Sequence, residues 1–307
     1  FTLILLWLWT LLFDPGMAYE IPLFTCGIIL FFIGLAEDLT KKIGVKLRLL
    51  SAFISGLLAY TFFDVKITDI DIPILDLAFN YKWFAMFFTA FAITGVSNAY
   101  NIIDGFNGLA SMVCIICLLA ISIIAFRVGD MLIVNLALSM VVAVLGFFMW
   151  NYPRGLIFLG DGGAYLIGFW TAILSILVVN RNAAISPWFA LMVNAYPITE
   201  TLFTIWRRSI HQGKNPGLPD AAHFHSLIYR RVVRWSTPNS EELHKHSIQN
   251  AKTSPYLWLL SSLGVIPAII FWNSTELLMI SGLIYVIFYI WAYRQIVSFK
   301  SKNILFK

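Results

Sequence analysis

Long apolar runs separated by short polar segments extend along nearly the whole chain. Each run is long enough to cross most of a bilayer as a helix, and its continuous pattern argues against the alternating strands of a β-barrel. We therefore predict an all-α polytopic membrane protein with about ten transmembrane helices. The predicted spans are residues 1–13, 21–36, 47–63, 83–101, 109–126, 131–150, 163–179, 186–206, 255–272 and 277–293. The sequence begins inside an apolar run, so we expect an eleventh span before it.

The basic residues lie mainly on one side of these predicted spans. Seventeen lysine and arginine residues fall in connections on that side, whereas the other side holds only Lys66, Lys82, Arg127 and Arg181. Because loops rich in lysine and arginine stay in the cytoplasm, the first span is predicted to start inside and the C-terminus to lie inside. We expect a multi-pass protein of the cell inner (cytoplasmic) membrane, formed by a single domain over residues 1–307.

The connection at residues 65–77 falls on the side predicted to be outer, and its apolar and polar residues alternate. Alternation with a period of two is typical of a half-exposed strand. We predict a short extended or hairpin element here, lying on the outer surface.

Four polar segments return to the predicted cytoplasmic side. The first contains the adjacent carboxylates Glu37 and Asp38, and the second, residues 98–109, connects two predicted spans. The third sets Asp161 between glycines, and the fourth, residues 207–252, holds all five histidines. A loop as long as the fourth is usually functional when it belongs to a compact protein. The convergence of these segments on one side predicts a single active site there.

The second segment carries four polar side chains at intervals of three residues, namely Asn98, Asn101, Asp104 and Asn107. Three residues turn a regular helix by about 300°, so the first and last of them would point in opposite directions on an unbroken helix. All four can serve one site only if the helix ends within the segment, and Gly105 and Gly108 are placed to end it. An ionisable residue at a membrane boundary beside such a break indicates a functional site.

The composition restricts the chemistry that this site can perform. With 60% hydrophobic residues, 12% charged residues and a mean hydropathy of +0.82, the chain is an integral membrane protein. Its net charge of +5 is modest and indicates no nucleic-acid partner. Carboxylates and amides without zinc-spaced Cys or His residues suit a hard cation, so we predict Mg²⁺, with Asp161 as the best candidate ligand. Basic residues around such a centre predict a polyanionic substrate and phosphoryl or pyrophosphoryl chemistry.

The motifs resemble those of the polyprenyl-phosphate N-acetylhexosamine-1-phosphate transferases (glycosyltransferase family 4), the superfamily that includes the phospho-N-acetylmuramoyl-pentapeptide transferases. The resemblance covers residues 34–231 and rests on five motifs in the family's order. They are Gly34-Leu-Ala-Glu37-Asp38 with Lys46-Leu-Arg48, Asn98 to Leu109, Phe158 to Gly163, Pro197-Ile-Thr-Glu200-Thr201, and Pro219-Asp220-Ala-Ala-His223-Phe-His225 with Arg230 and Arg231. Glu37, Asn107 and Glu200 stand where the family usually has aspartate. The family's early Pro-Arg-x-Gly-Gly segment is absent, which leads us to expect further residues before the first one.

This resemblance implies an activity and its substrates. It implies transfer of HexNAc-1-phosphate from a UDP-HexNAc to a polyprenyl phosphate with release of UMP, which initiates cell-envelope polysaccharides such as O-antigen. GlcNAc is the favoured sugar because the loop carries His-x-His and not three consecutive histidines. Undecaprenyl phosphate in the lipid bilayer is the expected acceptor. The resemblance also implies Mg²⁺, with Mn²⁺ as the alternative cofactor, and is compatible with a homodimer.

A role is implied for each matched residue. Catalytic roles are implied for Glu37, Asp38, Asp104 and Asp161, and metal ligation for Asp161 and Asp38. Substrate binding is implied for Lys46, Arg48, Asn98, Asn101, Asn107, His223, His225, Arg230 and Arg231.

Two other functions compete with this interpretation. The first is a transporter or flippase whose intramembrane carboxylates bind a coupling ion, but such sites lie near the bilayer midplane between related repeats. Here the polar groups gather on one side, and the sequence shows no internal repeat. The second is a CDP-alcohol phosphatidyltransferase, suggested by Asp104-Gly105. That family continues with Ala-Arg and Asp-x-x-x-Asp, and neither follows here.

Overall fold

The computed structural model describes residues 20–213, 215, 220, 222–233 and 242–298. These residues form twelve α-helices and no strand, with π-helical turns at Arg207–His211 and Tyr229–Val233. The helices are α1 Glu20–Thr40, α2 Val45–Phe63, α3 Pro73–Phe79, α4 Lys82–Ile103, α5 Leu109–Arg127, α6 Met131–Asn151, α7 Gly160–Arg181, α8 Pro187–Val193, α9 Ala195–Trp206, α10 Phe224–Ile228, α11 Glu242–Ile270 and α12 Thr275–Ser298.

Seven of the described helices are long and apolar enough to cross a membrane, which makes this an all-helical, multi-pass membrane protein. They are α2, α4, α5, α6, α7, α12 and residues 250–270 of α11. Seven predicted spans coincide with these helices, and the span predicted at 21–36 lies within α1. The span predicted at 1–13 lies outside the described residues, as do residues 214, 216–219, 221 and 234–241 of the predicted histidine loop.

The span predicted at 186–206 is not one continuous helix. It is divided into α8 and α9 at Asn194, whose backbone leaves the helical region at φ −100° and ψ 19°. Side chains form hydrogen bonds at the break between α8 and α9. The Asn194 amide donates to Ala190 O at 3.0 Å and to Ser175 Oγ at 2.9 Å, and the Cys117 thiol donates to Val193 O at 3.0 Å. A broken helix within a membrane protein is tolerated where neighbouring groups form such hydrogen bonds.

The prediction of an extended or hairpin element at residues 65–77 is wrong, because residues 73–79 form helix α3 and the preceding residues form no strand. The Asp76 carboxylate accepts the Ile70 N–H at 2.8 Å, and a proline occupies the first turn of α3, where its missing N–H costs nothing. Side chains from distant helices bind the backbone that a second strand would have paired. Thr89 Oγ1 accepts the Ile67 N–H at 3.0 Å, and Trp188 Nε1 donates to Ile70 O at 2.9 Å.

Helices α5 and α7 form the centre of the bundle, and their residues are mostly buried. Close approach between α7 and α4 depends on Gly168, because a Cβ there would lie 2.8 Å from Tyr100 Cβ. The chain passes up and down, so one end of the bundle gathers the carboxyl ends of α1, α4 and α6 and the amino ends of α2, α5 and α7. We call this end the site end, because the predicted site residues lie there.

Candidate active site

A glycine contact between α1 and α7 sets the geometry of the site. A Cβ added to Gly34 would lie 2.5 Å from Gly162 N, and a Cβ on Gly162 would lie 2.9 Å from Phe31 O. Real Cβ atoms do not approach backbone so closely, so both positions require glycine while the helices keep this distance. The contact brings the end of α1 directly onto the start of α7.

The Asp38 carboxylate lies at the amino terminus of α7 as a result. It accepts the Asp161 N–H at 3.1 Å and the Gly162 N–H at 3.2 Å. Gly160 has a φ of +68°, and a Cβ there would lie 2.5 Å from Asp38 Oδ2. A carboxylate at this position caps free N–H groups and interacts favourably with the helix dipole. Asp38 is therefore placed by backbone geometry. Lys41 Nζ lies 3.7 Å from its Oδ1.

Asp161, in the first turn of α7, binds side chains from two further helices. Arg48 of α2 forms an ion pair with its Oδ2, and the Asn101 amide of α4 donates to its Oδ1 at 3.0 Å. The Asp161 side chain is 26% exposed, so solvent and ligands can reach it. The prediction that residues 34–48, 98–109 and 158–164 converge is confirmed by these contacts.

Asp104 directly follows α4 and is partly buried beside the same carboxylates. Removal from water, and then the negative charges of Asp161 and Asp38, raise the pKa of Asp104 to about 7. Three carboxylates that repel one another are thus gathered at one end of the bundle. We call Asp38, Asp104 and Asp161 the acid cluster.

Helix α11 holds the turn that follows Asp104 by three side chains spaced four residues apart. Asn250 Oδ1 accepts the Asn107 N–H at 2.7 Å, and Ser254 Oγ donates to Asn107 O at 2.6 Å. Trp258 Nε1 donates to Gly108 O at 3.0 Å, where φ is +72°. Residues four apart share one helix face, so these three side chains bind consecutive groups of the turn backbone.

The predicted helix break within residues 98–109 is confirmed, but it does not direct all four polar side chains to one place. Asn101 contacts Asp161, whereas Asn98 Oδ1 accepts the Tyr165 hydroxyl at 3.2 Å. The Asn107 amide donates to Pro153 O at 3.2 Å, which is a contact with the connection between α6 and α7. Asn107 therefore supports the turn in this structure.

The described part of the loop predicted at residues 207–252, which we call the histidine segment, is organised around Glu200. Glu200 belongs to one of the five matched motifs and is only 1% exposed. Its Oε1 lies 3.1 Å from His223 Nδ1 and accepts the Phe224 N–H at 3.1 Å. Its Oε2 accepts the Tyr289 hydroxyl at 2.6 Å. A buried carboxylate requires such donors, and here they come from α10 and α12. We call Glu200, His223, His225 and Tyr289 the histidine cluster.

His225 joins the histidine cluster to the turn after α4. Its ring stacks on His223 with centroids 5.2 Å apart and packs edge-on against Phe106 at 5.4 Å. A Cβ on Gly105 would lie 2.9 Å from His225 Nε2, so any larger residue there would displace the buried ring. Burial lowers the pKa of His225 to about 4, and the ring is therefore neutral near pH 7.

The remaining predicted residues lie around these two clusters. Glu37 Oε2 accepts the Ile43 N–H at 2.7 Å and so closes the turn between α1 and α2, while Lys46 is exposed on α2. Arg230 Nε donates to Ser226 O at 3.2 Å, and Arg231 donates to Ile296 O at 3.0 Å at the end of α12. Their predicted roles in binding stay predictions.

The structure also assigns contacts to residues that received no role in the sequence analysis. Arg207 and Asp220 form a buried ion pair. Asn151 Oδ1 accepts the Gly108 N–H at 2.5 Å, opposite the α11 contacts. Tyr289 lies in an apolar helix that contains no motif, so nothing in the surrounding residues indicated a role for it. Asn250, Ser254 and Trp258 could have been found from the sequence, because three hydrogen-bonding side chains spaced four residues apart lie on one face of a helix.

The two predicted metal ligands, Asp161 and Asp38, both belong to the acid cluster, where the available donors are carboxylate and amide oxygens. Within the described residues, no three His, Cys, Asp or Glu side chains are arranged to hold a metal ion. Asp161 is paired with Arg48, and both Asp38 oxygens accept backbone N–H groups. The donor chemistry fits a hard divalent cation, and mutual repulsion of the carboxylates would be relieved by one.

A cavity of about 770 Å³ lies at the other end of the bundle, and none of its lining residues is a predicted site residue. Residues 66–72 border it, and Asn194 lies on its wall beside the break between α8 and α9. It is therefore separate from both clusters.

Comparison with known proteins places these features in a family. The model of glycosyl transferase family 4 matches residues 21–179. A probable undecaprenyl-phosphate N-acetylglucosaminyl 1-phosphate transferase of Bacillus subtilis (strain 168) is 32% identical over 166 residues, which are 53% of this chain and 46% of the relative. The undecaprenyl-phosphate alpha-N-acetylglucosaminyl 1-phosphate transferase of Escherichia coli (strain K12) is 30% identical over 211 residues, 67% of this chain and 57% of the relative. A phospho-N-acetylmuramoyl-pentapeptide-transferase of Streptococcus thermophilus (strain CNRZ 1066) is 32% identical over 148 residues, 48% of this chain and 42% of the relative.

Proposed function

Because the chain belongs to glycosyl transferase family 4, we propose that it transfers N-acetylglucosamine 1-phosphate from UDP-N-acetylglucosamine to undecaprenyl phosphate. The observation that carries the proposal is the acid cluster, with Arg48 bound to Asp161 at the site end of a membrane bundle. The excess of basic residues in connections at this end supports a cytoplasmic orientation in the inner membrane. The product would initiate a cell-envelope polysaccharide.

In the proposed reaction, an oxygen of the lipid phosphate attacks the β-phosphorus of the UDP-sugar. A P–O bond forms to the lipid phosphate, the P–O bond between the two nucleotide phosphates breaks, and UMP leaves with the bridging oxygen. A phosphate monoester has a second pKa of about 6, so most of the nucleophile is already dianionic near neutral pH. The protein's main tasks would be to align two anions and to neutralise their charge.

The residues of the acid cluster have distinct tasks in this proposal. Asp161 and Asp38, with Asp104 and Asn101 beside them, would supply oxygen ligands for Mg²⁺, and the ion when bound would neutralise charge on the departing UMP. Arg48 is already at the site as a planar fork and would exchange Asp161 for a phosphate oxygen. Glu37 and Asp38 would face the lipid phosphate at the end of α1 and accept the proton of its monoanionic form.

The histidine segment would bind the sugar nucleotide from the other side. His223 has Nδ1 on Glu200, so Nε2 is the nitrogen left for a phosphate or sugar hydroxyl. His225 is buried against Gly105 and would fix the distance between the histidine segment and the acid cluster. Arg230 and Arg231, with Lys46 on α2, would attract the anionic substrates.

A transporter function retains one supporting observation, the cavity of about 770 Å³ beside a broken helix at Asn194. Broken helices near the midplane form the ion and substrate sites of many transporters. This protein would then move a lipid-linked or ionic substrate without releasing UMP.

The experiment that tests the proposal measures UMP release by the purified protein in detergent. Undecaprenyl phosphate and a panel of UDP-HexNAc sugars are supplied, with Mg²⁺ or with EDTA. We expect UMP from UDP-N-acetylglucosamine only when both lipid and Mg²⁺ are present. No UMP from any sugar would contradict the proposed reaction, and uptake by proteoliposomes would then test the transporter function.

A further inference from the structure

Glu200 carries a full set of hydrogen bonds although it lies among apolar helices. It is 1% exposed, and every donor that reaches it belongs to a segment distant in sequence from α9. One carboxylate oxygen faces the histidine segment, and the other faces α12. An ionised group inside a membrane protein is retained at a large cost and indicates a functional requirement.

The two carboxylate oxygens of Glu200 have different hydrogen-bond partners. Oε2 accepts the Tyr289 hydroxyl at 2.6 Å, a short distance typical of a bond to a charged acceptor. Oε1 accepts the Phe224 N–H and lies 3.1 Å from His223 Nδ1, which Thr204 Oγ1 also approaches at 3.3 Å. Because a carboxylate is planar, holding Oε2 determines where Oε1 points.

Aromatic packing holds the Tyr289 ring itself in place. Its ring lies 5.5 Å from that of Phe203 on α9 and 5.3 Å from that of Phe224 on α10, between the two segments that it connects. The side chain is fully buried, so its hydroxyl has no water to bind and Glu200 is its acceptor. The ring supplies packing, and the hydroxyl supplies a directional contact.

We propose that Tyr289 is a positioning residue that acts through Glu200 to orient the imidazole of His223 toward the substrate. This inference rests on the proposed transferase function for its catalytic consequence, but the orientation of His223 can be measured without it. The chain of contacts runs from α12 through Tyr289 Oη, Glu200 and His223 Nδ1, and leaves His223 Nε2 for the ligand. The last described helix thereby sets the geometry of a loop about 65 residues earlier in the sequence.

Tyr285 offers a matched control on the same helix. It lies one turn before Tyr289, is 4% exposed, and its hydroxyl has no hydrogen-bond partner in the described part of the chain. Tyr289→Phe and Tyr285→Phe each remove one buried hydroxyl from α12 and leave the ring. Only the first removes a contact to Glu200.

The test combines kinetics with a spectroscopic measurement on the full chain in detergent. Tyr289→Phe is expected to lower kcat for UMP release by about 10- to 100-fold while KM for undecaprenyl phosphate is unchanged. Tyr285→Phe is expected to keep the kcat of the unsubstituted protein. In ¹⁵N-histidine NMR, the His223 signals are assigned by their loss in His223→Gln, and Tyr289→Phe is expected to shift them whereas Tyr285→Phe does not.

Each result decides the proposal. Unchanged His223 signals in Tyr289→Phe would overturn it, whether or not kcat falls, because the hydroxyl would then not act through His223. Shifted signals with an unchanged kcat would overturn the positioning role. If the unsubstituted protein releases no UMP, the transferase function fails while the NMR comparison still tests the contact. If Tyr289→Phe does not fold, 3-fluorotyrosine is placed at position 289, because it keeps the hydroxyl. The proposal then requires that the His223 signals shift and that kcat is preserved.

Discussion

The acid cluster and the histidine cluster are built in opposite ways, although they lie next to each other. The acid cluster is placed by backbone: glycines bring α1 onto α7, and helix N–H groups bind Asp38. The histidine cluster is placed by side chains around one buried carboxylate, Glu200. Asp161 stays partly exposed and is paired with an arginine that can exchange partners, whereas Glu200 is sealed. In the proposed function, ligands would bind at the first cluster, and the second would orient the histidine segment beside it.

The largest effect should come from breaking the backbone contact that builds the acid cluster. Gly34→Ala places a Cβ 2.5 Å from Gly162 N, so α1 and α7 must separate, and we expect a loss of about 3 kcal/mol of stability. Thermal unfolding in detergent measures it. Gly146→Ala on α6 is the control, because a Cβ there meets nothing within 4 Å and alanine is the better helix former. Equal melting of both variants would contradict the role of the glycine contact.

Acid pH should destabilise the histidine cluster, whereas protonation of Asp104, whose pKa is raised to about 7, should have the opposite effect on the acid cluster. The pKa of His225 is lowered from 6.5 to about 4, so below pH 6.5 the unfolded chain binds a proton that the folded protein does not. The stabilisation is complete above pH 6.5 and is lost as the pH falls toward 4, by up to about 3 kcal/mol. The difference in melting temperature between the unsubstituted protein and His225→Gln, followed from pH 7 to 4, measures this loss, because Asp104 titrates in both proteins. His225→Gln should lack the loss that His225 causes, and identical pH profiles for the two proteins would refute the assignment.

A smaller effect should follow from loosening the turn that joins the two clusters. Ser254→Ala leaves the Asn107 carbonyl without its donor and should cost about 1 to 2 kcal/mol. Ser261→Ala is the matched control, since Ser261 is equally buried on α11 and its hydroxyl has no partner among the described residues. We expect a lower melting temperature and slower UMP release only for Ser254→Ala. Indistinguishable variants would show that the α11 contacts do not support the turn.

The sequence predicts well those features that depend on local pattern. Apolar runs located the membrane helices, and the break predicted at Gly105 and Gly108 lies just after α4, which ends at Ile103. Alternation misled at residues 65–77, because Thr89 and Trp188 supply the hydrogen bonds that a partner strand would have supplied. The break at Asn194 was hidden for the same reason, since remote side chains stabilise it.

The site was predictable in its charged members and not in their arrangement. The motifs located Asp38 and Asp161 on one side of the membrane, but only the three-dimensional contact of Gly34 with Gly162 explains why they touch. Tyr289 could not have been selected, because a tyrosine in an apolar helix is usually ordinary packing. Its role depends on a contact across 89 positions of the sequence.

Asp161→Asn is the decisive variant for the proposal that transfer takes place at the acid cluster. UMP release from UDP-N-acetylglucosamine and undecaprenyl phosphate is measured for this variant and for Asp69→Asn, which changes an exposed carboxylate at the opposite end. We predict that Asp161→Asn loses activity by about 100-fold or more while Asp69→Asn keeps it. Substantial turnover by a folded Asp161→Asn protein would show that transfer does not depend on the acid cluster.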